Sequence, residues 1–595
     1  MRRIRRGVAA LAAVVSATLA LSACGGPALP PTVVEGSEVR VAWDAALSSV
    51  NLASETGATP GNADVEALTR AQFAREREGE TTVDATFGSV RILEESDDSF
   101  SVAYDLAEPV WSDGIAVDAA DLMLAWAAGS EFFAGDADDD PLRFGSVATG
   151  LRSGDAIPTY DEFARRIEVS FSRPVVDWQT ALDVAVPAHV VGQRALGIDD
   201  PMEAKAAVIA AISERREGDL AKIATLWRDG FVVTGDGGLV PRDMLTLSSG
   251  PFRIERIEGG PDDEDQRITL VVNTSYVGEA TGAYERIVLQ HETEAVLPDD
   301  IGERYDIAQA KPTPENFEAI RDLERDDYGV HASNRGEAWM VLARTSGPTK
   351  LADPAVRRAL LRAIPRSDVI EAGAGAWASE FPETTSAIFP SGTRGSEISR
   401  EDSGFRELLG ASGGKPEEER AAAGVPPRST VCVLYDVDSP TARRMYEAIR
   451  DAVAEGEWIA TDCGSEDPSS VAEVGGEWDL LLTTVQLPET PAEIAAQWGT
   501  DGAENRTGAT SAERDALIER LSRTTDAYEA RDVKIEIEKT IVQQMAALPL
   551  AMDPVVTVSD RSLEAVLPRS GRLASLTSSA PTWRPAEAEA PADAP

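Results

Sequence analysis

Between Thr430 and Cys463 the chain reads strand, helix, strand, and a unit of that order and length makes a parallel pair of strands crossed by a helix. The strands are the apolar runs 430–435 and 458–463. The helix opens at Ser439-Pro440, carries Met445, Ile449 and Val453 four apart, and stops at Gly456. Parallel strands are covered on both faces by helices, so the fold class is α/β. The same grammar recurs elsewhere. Residues 100–106 alternate as a strand and Trp111-Ser112-Asp113-Gly114 turns the chain. A helix capped by Asp118 then sets Leu122 and Trp126 on one face. Asp353-Pro354 starts another, with Val356, Leu360 and Ile364 aligned and Pro365 closing it. The acidic residues 259–266 read as a hairpin connection between strands 252–257 and 267–273.

The amino terminus sets the compartment. Four arginines (Arg2, Arg3, Arg5, Arg6) precede the apolar run 8–21, and small residues follow up to Cys24-Gly25-Gly26. This is the pattern of a cleavable secretory signal, too short for a permanent membrane helix. No second long apolar stretch follows, so the folded part is expected to work outside the membrane. Removing residues 1–23 takes four of the 56 basic residues and none of the 102 acidic ones, leaving −50 (52 against 102). Nucleic acid is therefore excluded as a partner. At 595 residues the chain is too long for one core, and about 150 residues per domain suggests three or four compact units. Residues 24–36 read as an extended tether, and 582–595, rich in Pro, Ala and Glu, as a disordered tail.

No catalytic constellation emerges. Gly410-Ala411-Ser412-Gly413-Gly414 fits a hydrolase nucleophile pattern, but a helix precedes it and a charged loop follows, where a strand and then a helix are needed. His189, His291 and His331 lie beyond helical or hairpin reach of one another, so spacing gives no metal site. Asp136, Asp138 and Asp140 alternate like the start of a calcium loop, yet Pro141 and Val147 occupy the positions that need glycine and glutamate. No phosphate-cradling loop is present, and no cofactor is called for. Cys432 and Cys463 lie in strands that could be neighbours. An oxidising compartment favours a disulfide over two buried thiols. An exported α/β protein of this kind points to binding rather than turnover.

At this point the residues resemble a known family, the solute-binding lipoproteins of bacterial ABC importers, family 5, which includes dipeptide- and oligopeptide-binding proteins. Leu21-Ser22-Ala23-Cys24 is similar to the lipobox, whose cysteine takes a diacylglycerol. Further in, Trp111-Ser112-Asp113-Gly114 with the acidic helix start at Asp118 and Asp121 is similar to the family signature. Gly250-Pro251-Phe252, Asn273-Thr274-Ser275-Tyr276, Asp306-Ile307-Ala308, Val356-Arg357-Arg358-Ala359-Leu360 and Asn505-Arg506-Thr507-Gly508 follow in the family's order.

The resemblance implies a two-lobed periplasmic-binding-protein-like (Venus flytrap) fold with an extra subdomain beside lobe one. Lobe one would comprise 37–65, 241–312 and 548–581, the extra subdomain 66–240, and lobe two 313–547. It further implies a monomer, anchored through Cys24 on the extracytoplasmic face, that takes a peptide or small polar solute in the interlobe cleft. Delivery would be to ABC permease subunits. A ligand sensor of the same fold, or an anchored hydrolase, is the alternative. Family peptide binders pair the ligand backbone with protein strands. The matching strands make Trp339, Thr484 and Gln486 the candidate ligand contacts, with Ser49 and Asn51 in the first loop behind them. Where those binders carry Gly-Trp and then an aspartate for the ligand's amino terminus, this chain has Thr483-Thr484-Val485-Gln486-Leu487-Pro488. No carboxylate stands there, so sugars, modified peptides and other polar metabolites stay open.

Overall fold

In a computed structural model, the structure describes residues 28–586, apart from 78–79, 97–98, 138, 162, 164, 235–243, 245, 279–281, 293–299, 348, 411–413, 474–475 and 573–575. Cys24, Asp138 and Ser412 lie outside the described residues. The chain opens on β1 (Val34–Trp43). A hairpin follows, β2 (Ala74–Arg77) and β3 (Glu80–Val83), and then a four-stranded antiparallel sheet. Its strands are β4 (Gly88–Glu95), β5 (Phe100–Leu106), β6 (Thr159–Asp161) and β7 (Arg166–Phe171), in the order β4-β5-β7-β6.

The remaining long strands are β8 (Phe252–Glu258), β9 (Arg267–Val272), β10 (Tyr284–His291), β11 (Ile307–Ala310), β12 (Gly329–Ala343), β13 (Ser429–Leu434), β14 (Trp458–Asp462), β15 (Leu480–Gln486) and β16 (Ala547–Ser559). With β1 they form one ten-stranded sheet, in the order β14-β13-β15-β12-β16-β11-β1-β10-β9-β8. The two lobes are the two halves of this sheet with their helices. One core packs β1 and β8–β10 against the four-stranded unit. Two others cover the opposite faces of β12 to β15, one around Leu360, Met445 and Ile449, the other around Ile494, Leu521 and Ile541.

The strand-helix-strand unit takes the expected form. β13 and β14 are parallel, joined through the helix Pro440–Glu455, whose Ser439 side chain accepts from Ala442 N–H. Cys432 and Cys463 are bonded across these strands, with Cα atoms 5.7 Å apart. The Asp118 helix forms over Ala119–Ser130 with a full capping box, because Asp121 returns to the Asp118 N–H. The Trp111 indole donates to Asp121 (3.3 Å), and Lys205 reaches the same carboxylate at 2.9 Å. A buried anchor thus holds the Trp-Ser-Asp-Gly turn.

Both chain ends differ from the expectation. β1 begins at Val34 beside Tyr284, and Leu29 and Val33 pack on the core, so the tether docks before residue 36. At the other end Trp583 is 1% exposed, and Arg584–Pro585, labelled β18, pairs with β17 (Leu563–Glu564). One large aromatic is enough to fix a stretch whose composition is otherwise that of a loose tail.

Candidate functional site

Two strands, β12 and β16, carry the chain from one half of the sheet to the other. Two register slips interrupt their pairing, one between Asn334, opposite Pro554, and Ala338, opposite Met552, and a second between Trp339 and Met340. Gly336 sits in the first slip at φ +76°, a conformation open to glycine and strained for other residues. A Cβ there would also meet the Gln486 amide nitrogen at 2.8 Å. Across the strand pair Pro554 has no N–H to give a ladder. Broken pairing at one level of two adjacent strands is what a hinge needs. Gly336→Ala should cost on the order of 1–2 kcal/mol in urea unfolding, and a neutral result would show that the slip relaxes freely.

Polar contacts gather at this joint. Arg335 donates to both oxygens of Asp44 (2.9 and 2.8 Å) and to the Gln309 side-chain oxygen (3.1 Å), linking β12 to the end of β1 and to β11. The Trp339 indole, 8% exposed, donates to Asp553 at 2.8 Å. Burial pushes the Asp553 carboxyl up, and the indole, Lys311 and Arg335 pull it back down. Glu337 is raised too, first by burial and then by Asp553.

β15 leaves the core at the same level. Leu480, Leu481 and Leu482 are buried, whereas Thr483, Thr484, Val485 and Gln486 are half-buried. β12 pairs with all seven residues, setting Trp339 opposite Thr484, but β13 pairs only with Leu480 and Leu481. The side of residues 483–485 away from β12 therefore carries no strand among the described residues. The Gln486 amide donates to the carbonyls of Arg335 (3.2 Å) and Gly336 (3.0 Å), and Gln497 donates to the Gln486 carbonyl at 2.8 Å.

The structure thus brings Trp339, Thr484 and Gln486 into one patch at the joint. It spends the Trp339 and Gln486 polar groups on the hinge itself. Ser49 and Asn51 lie elsewhere. Both are buried; Ser49 Oγ donates to the Phe231 carbonyl (3.1 Å) and the Asn51 amide to the Trp227 carbonyl (2.8 Å). They fasten the first loop to the helix Glu217–Asp229 and its exit, away from any solvent-facing surface. Sequence reasoning missed Gly336, Asp553 and the Arg335–Asp44 pair. A glycine inside a strand pattern was the available signal.

Among the described residues, no three His, Cys, Asp or Glu side chains converge as metal ligands, and no helix is long and apolar enough to cross a membrane. His189 pairs with Asp113 at 3.0 Å, and the His291 ring meets the Asp263 carbonyl at 3.0 Å. Asp140 accepts from Gly135 and Leu142 N–H, closing an ordinary turn.

Comparison with known proteins agrees with this architecture. Residues 165–482, more than half of the chain, match the family of bacterial extracellular solute-binding proteins, family 5 Middle. The lipoprotein Rv2585c of Mycobacterium tuberculosis is 25% identical over 577 residues, covering 92% of this chain and 93% of its own. Among solved structures, the periplasmic EDTA-binding protein EppA superposes with a TM-score of 0.70 at 17% identity, over 95% of this chain and 100% of its own. The oligopeptide-binding protein AppA of Bacillus subtilis, in complex with a nonapeptide, gives 0.59 at 12% identity, over 92% and 99%. The two halves of the sheet are the lobes of a Venus flytrap, and the chain belongs to the bacterial extracellular solute-binding proteins, family 5.

Proposed function

We propose that this protein, anchored by lipid at Cys24, captures a peptide or related polar solute along the free side of β15 and delivers it to an ABC permease. The stretch 483–485, paired with β12 on one side only, carries the reading: a half-buried strand edge offers backbone N–H and C=O groups to an extended ligand without selecting its side chains. Thr484 is the contact to expect. Trp339 and Gln486 shape the floor while holding the hinge. In this reading lobe one takes 34–65, 241–312 and 548–586, the extra subdomain 66–240, and lobe two 313–547. Membership of a solute-binding family assigns capture rather than chemistry.

The test is native mass spectrometry on residues 25–595, before and after unfolding and refolding. A discrete adduct that fragments to amino acids and disappears on refolding is expected. Thr484→Arg, which fills the strand edge, should abolish it while moving the melting temperature by less than about 2 °C, the scale of a surface change. An adduct of another chemistry, or no adduct together with no thermal shift from a mixed tripeptide library, would remove peptides from the reading.

A further inference from the structure

A second place joins the two halves of the molecule, far in sequence from the hinge. After β7 the chain runs Ser172-Arg173-Pro174-Val175-Val176 and reaches the end of the helix Ala512–Ser522. Val175 and Val176 are neighbours in sequence but belong to different cores. Val175 is 3% exposed within the core of the four-stranded unit, and Val176 packs against the core of the other lobe. The Val176 N–H donates to the Ser522 carbonyl at 3.2 Å, one of the carbonyls that a helix end leaves without an internal partner. One Arg173 nitrogen donates to Glu519 (3.0 Å) and to the Ser522 hydroxyl (3.1 Å), placing a cation at the negative end of that helix. Beside them the Thr525 hydroxyl donates to Glu95 at the end of β4.

We infer that residues 172–176 are a latch: the four-stranded unit grips the end of the helix Ala512–Ser522 and holds the two lobes together through residues that take no part in the hinge strands. The geometry requires the two to be coupled. A rotation about Gly336 and Pro554 leaves the strand connections intact, yet it withdraws Val176 from the opposite core and separates Arg173 from Glu519. The ion pair is partly exposed and contributes little alone. Val176 burial and the bond to an orphan carbonyl give the latch its strength, together worth about tenfold in the ratio of latched to unlatched molecules. Lobe closure is then set by the four-stranded unit as much as by any solute, and solute affinity scales with the latched fraction.

The inference is independent of which solute is bound, and its test uses no ligand. Spin labels placed at Phe163→Cys and Tyr528→Cys, side chains 98% and 71% exposed on the two sides of the latch, report the separation by double electron-electron resonance on residues 25–595. The unaltered latch should give one dominant short distance. Arg173→Glu, which faces Glu519, should add a minor longer component and move the ratio by no more than about fivefold, and Arg173→Glu with Glu519→Arg should restore the short distance. Val176→Asp, which puts a carboxylate against the opposite core and the Ser522 carbonyl, should move the ratio by about tenfold without relying on the ion pair. A long distance in the unaltered protein, or the same distribution in Arg173→Glu and Val176→Asp, overturns the latch.

Discussion

Glu538→Gln is expected to be on the order of 3 kcal/mol more favourable to the stability of this protein at pH 8 than at pH 4.5. Glu538 projects from the helix Ala527–Gln544 into the core at 0% exposure. Its carboxyl accepts from the Ser386 hydroxyl and from the Ala387 N–H (2.9 Å), both neutral donors. Burial pushes its pKa up from 4.5 to about 7, with those hydrogen bonds opposing the rise. An acid whose folded pKa is raised holds its proton longer in the folded state. Its contribution is therefore complete below pH 4.5 and is lost as pH climbs through 7, where the folded interior must accept a bare charge. Glutamine has nearly the same shape and no charge, so it removes the pH-dependent loss; its Oε1 keeps the Ala387 N–H, while its NH2 gives up the bond from the Ser386 hydroxyl at every pH. Asp64, raised to about 6 by burial and held by Trp43 and Thr577, tilts the unaltered protein the same way. Urea unfolding at pH 4.5, 6 and 8 decides the matter: an effect of Glu538→Gln that is the same at pH 4.5 and pH 8, or more favourable at pH 4.5, refutes the account.

Replacing both Cys432 and Cys463 by serine should cost about 3–4 kcal/mol in the unfolding of lobe two. The bridge spans 31 residues, and closing a loop of that length removes about this much conformational freedom from the unfolded chain. The bond joins an edge strand, β14, to its neighbour, and the segment it encloses is the helix Pro440–Glu455 with its strands. Loss of the bridge should appear first as faster hydrogen exchange in β14 and its helix, ahead of any change in β12. A cost below about 1 kcal/mol would mean that the parallel pair is held by packing around Met445 and Ile449 alone.

Much of the fold was readable because its signals are local. Four-residue spacing of Met445, Ile449 and Val453, capping by Asp118, Asp353 and Ser439, and a turn at Trp111–Gly114 each depend on residues a few positions apart. The joint was less readable. Trp339 and Thr484 could be placed on strands, but their meeting is a pairing between residues 145 apart in number, and the slip at Gly336 depends on a third segment passing close by. Ser49 and Asn51 misled for a physical reason. Their place in the first loop follows from the family resemblance, whereas the burial of that loop against the carbonyls of Trp227 and Phe231 depends on a segment 176 to 182 positions away. Trp583 likewise sits one residue into a tail whose average composition hides it.

The place of β16 in the sheet bears on how the chain reaches its folded state after export. This strand, Ala547–Ser559, lies between β12 and β11, near the end of the sequence. Without it the sheet falls into two unconnected pieces, of four strands and of five. A chain threaded through a translocon from its amino terminus would therefore reach the far side with the two pieces unjoined, and they could not lock to each other until β16 emerged. The keystone between the halves arrives late, so the joint is completed after the pieces it joins.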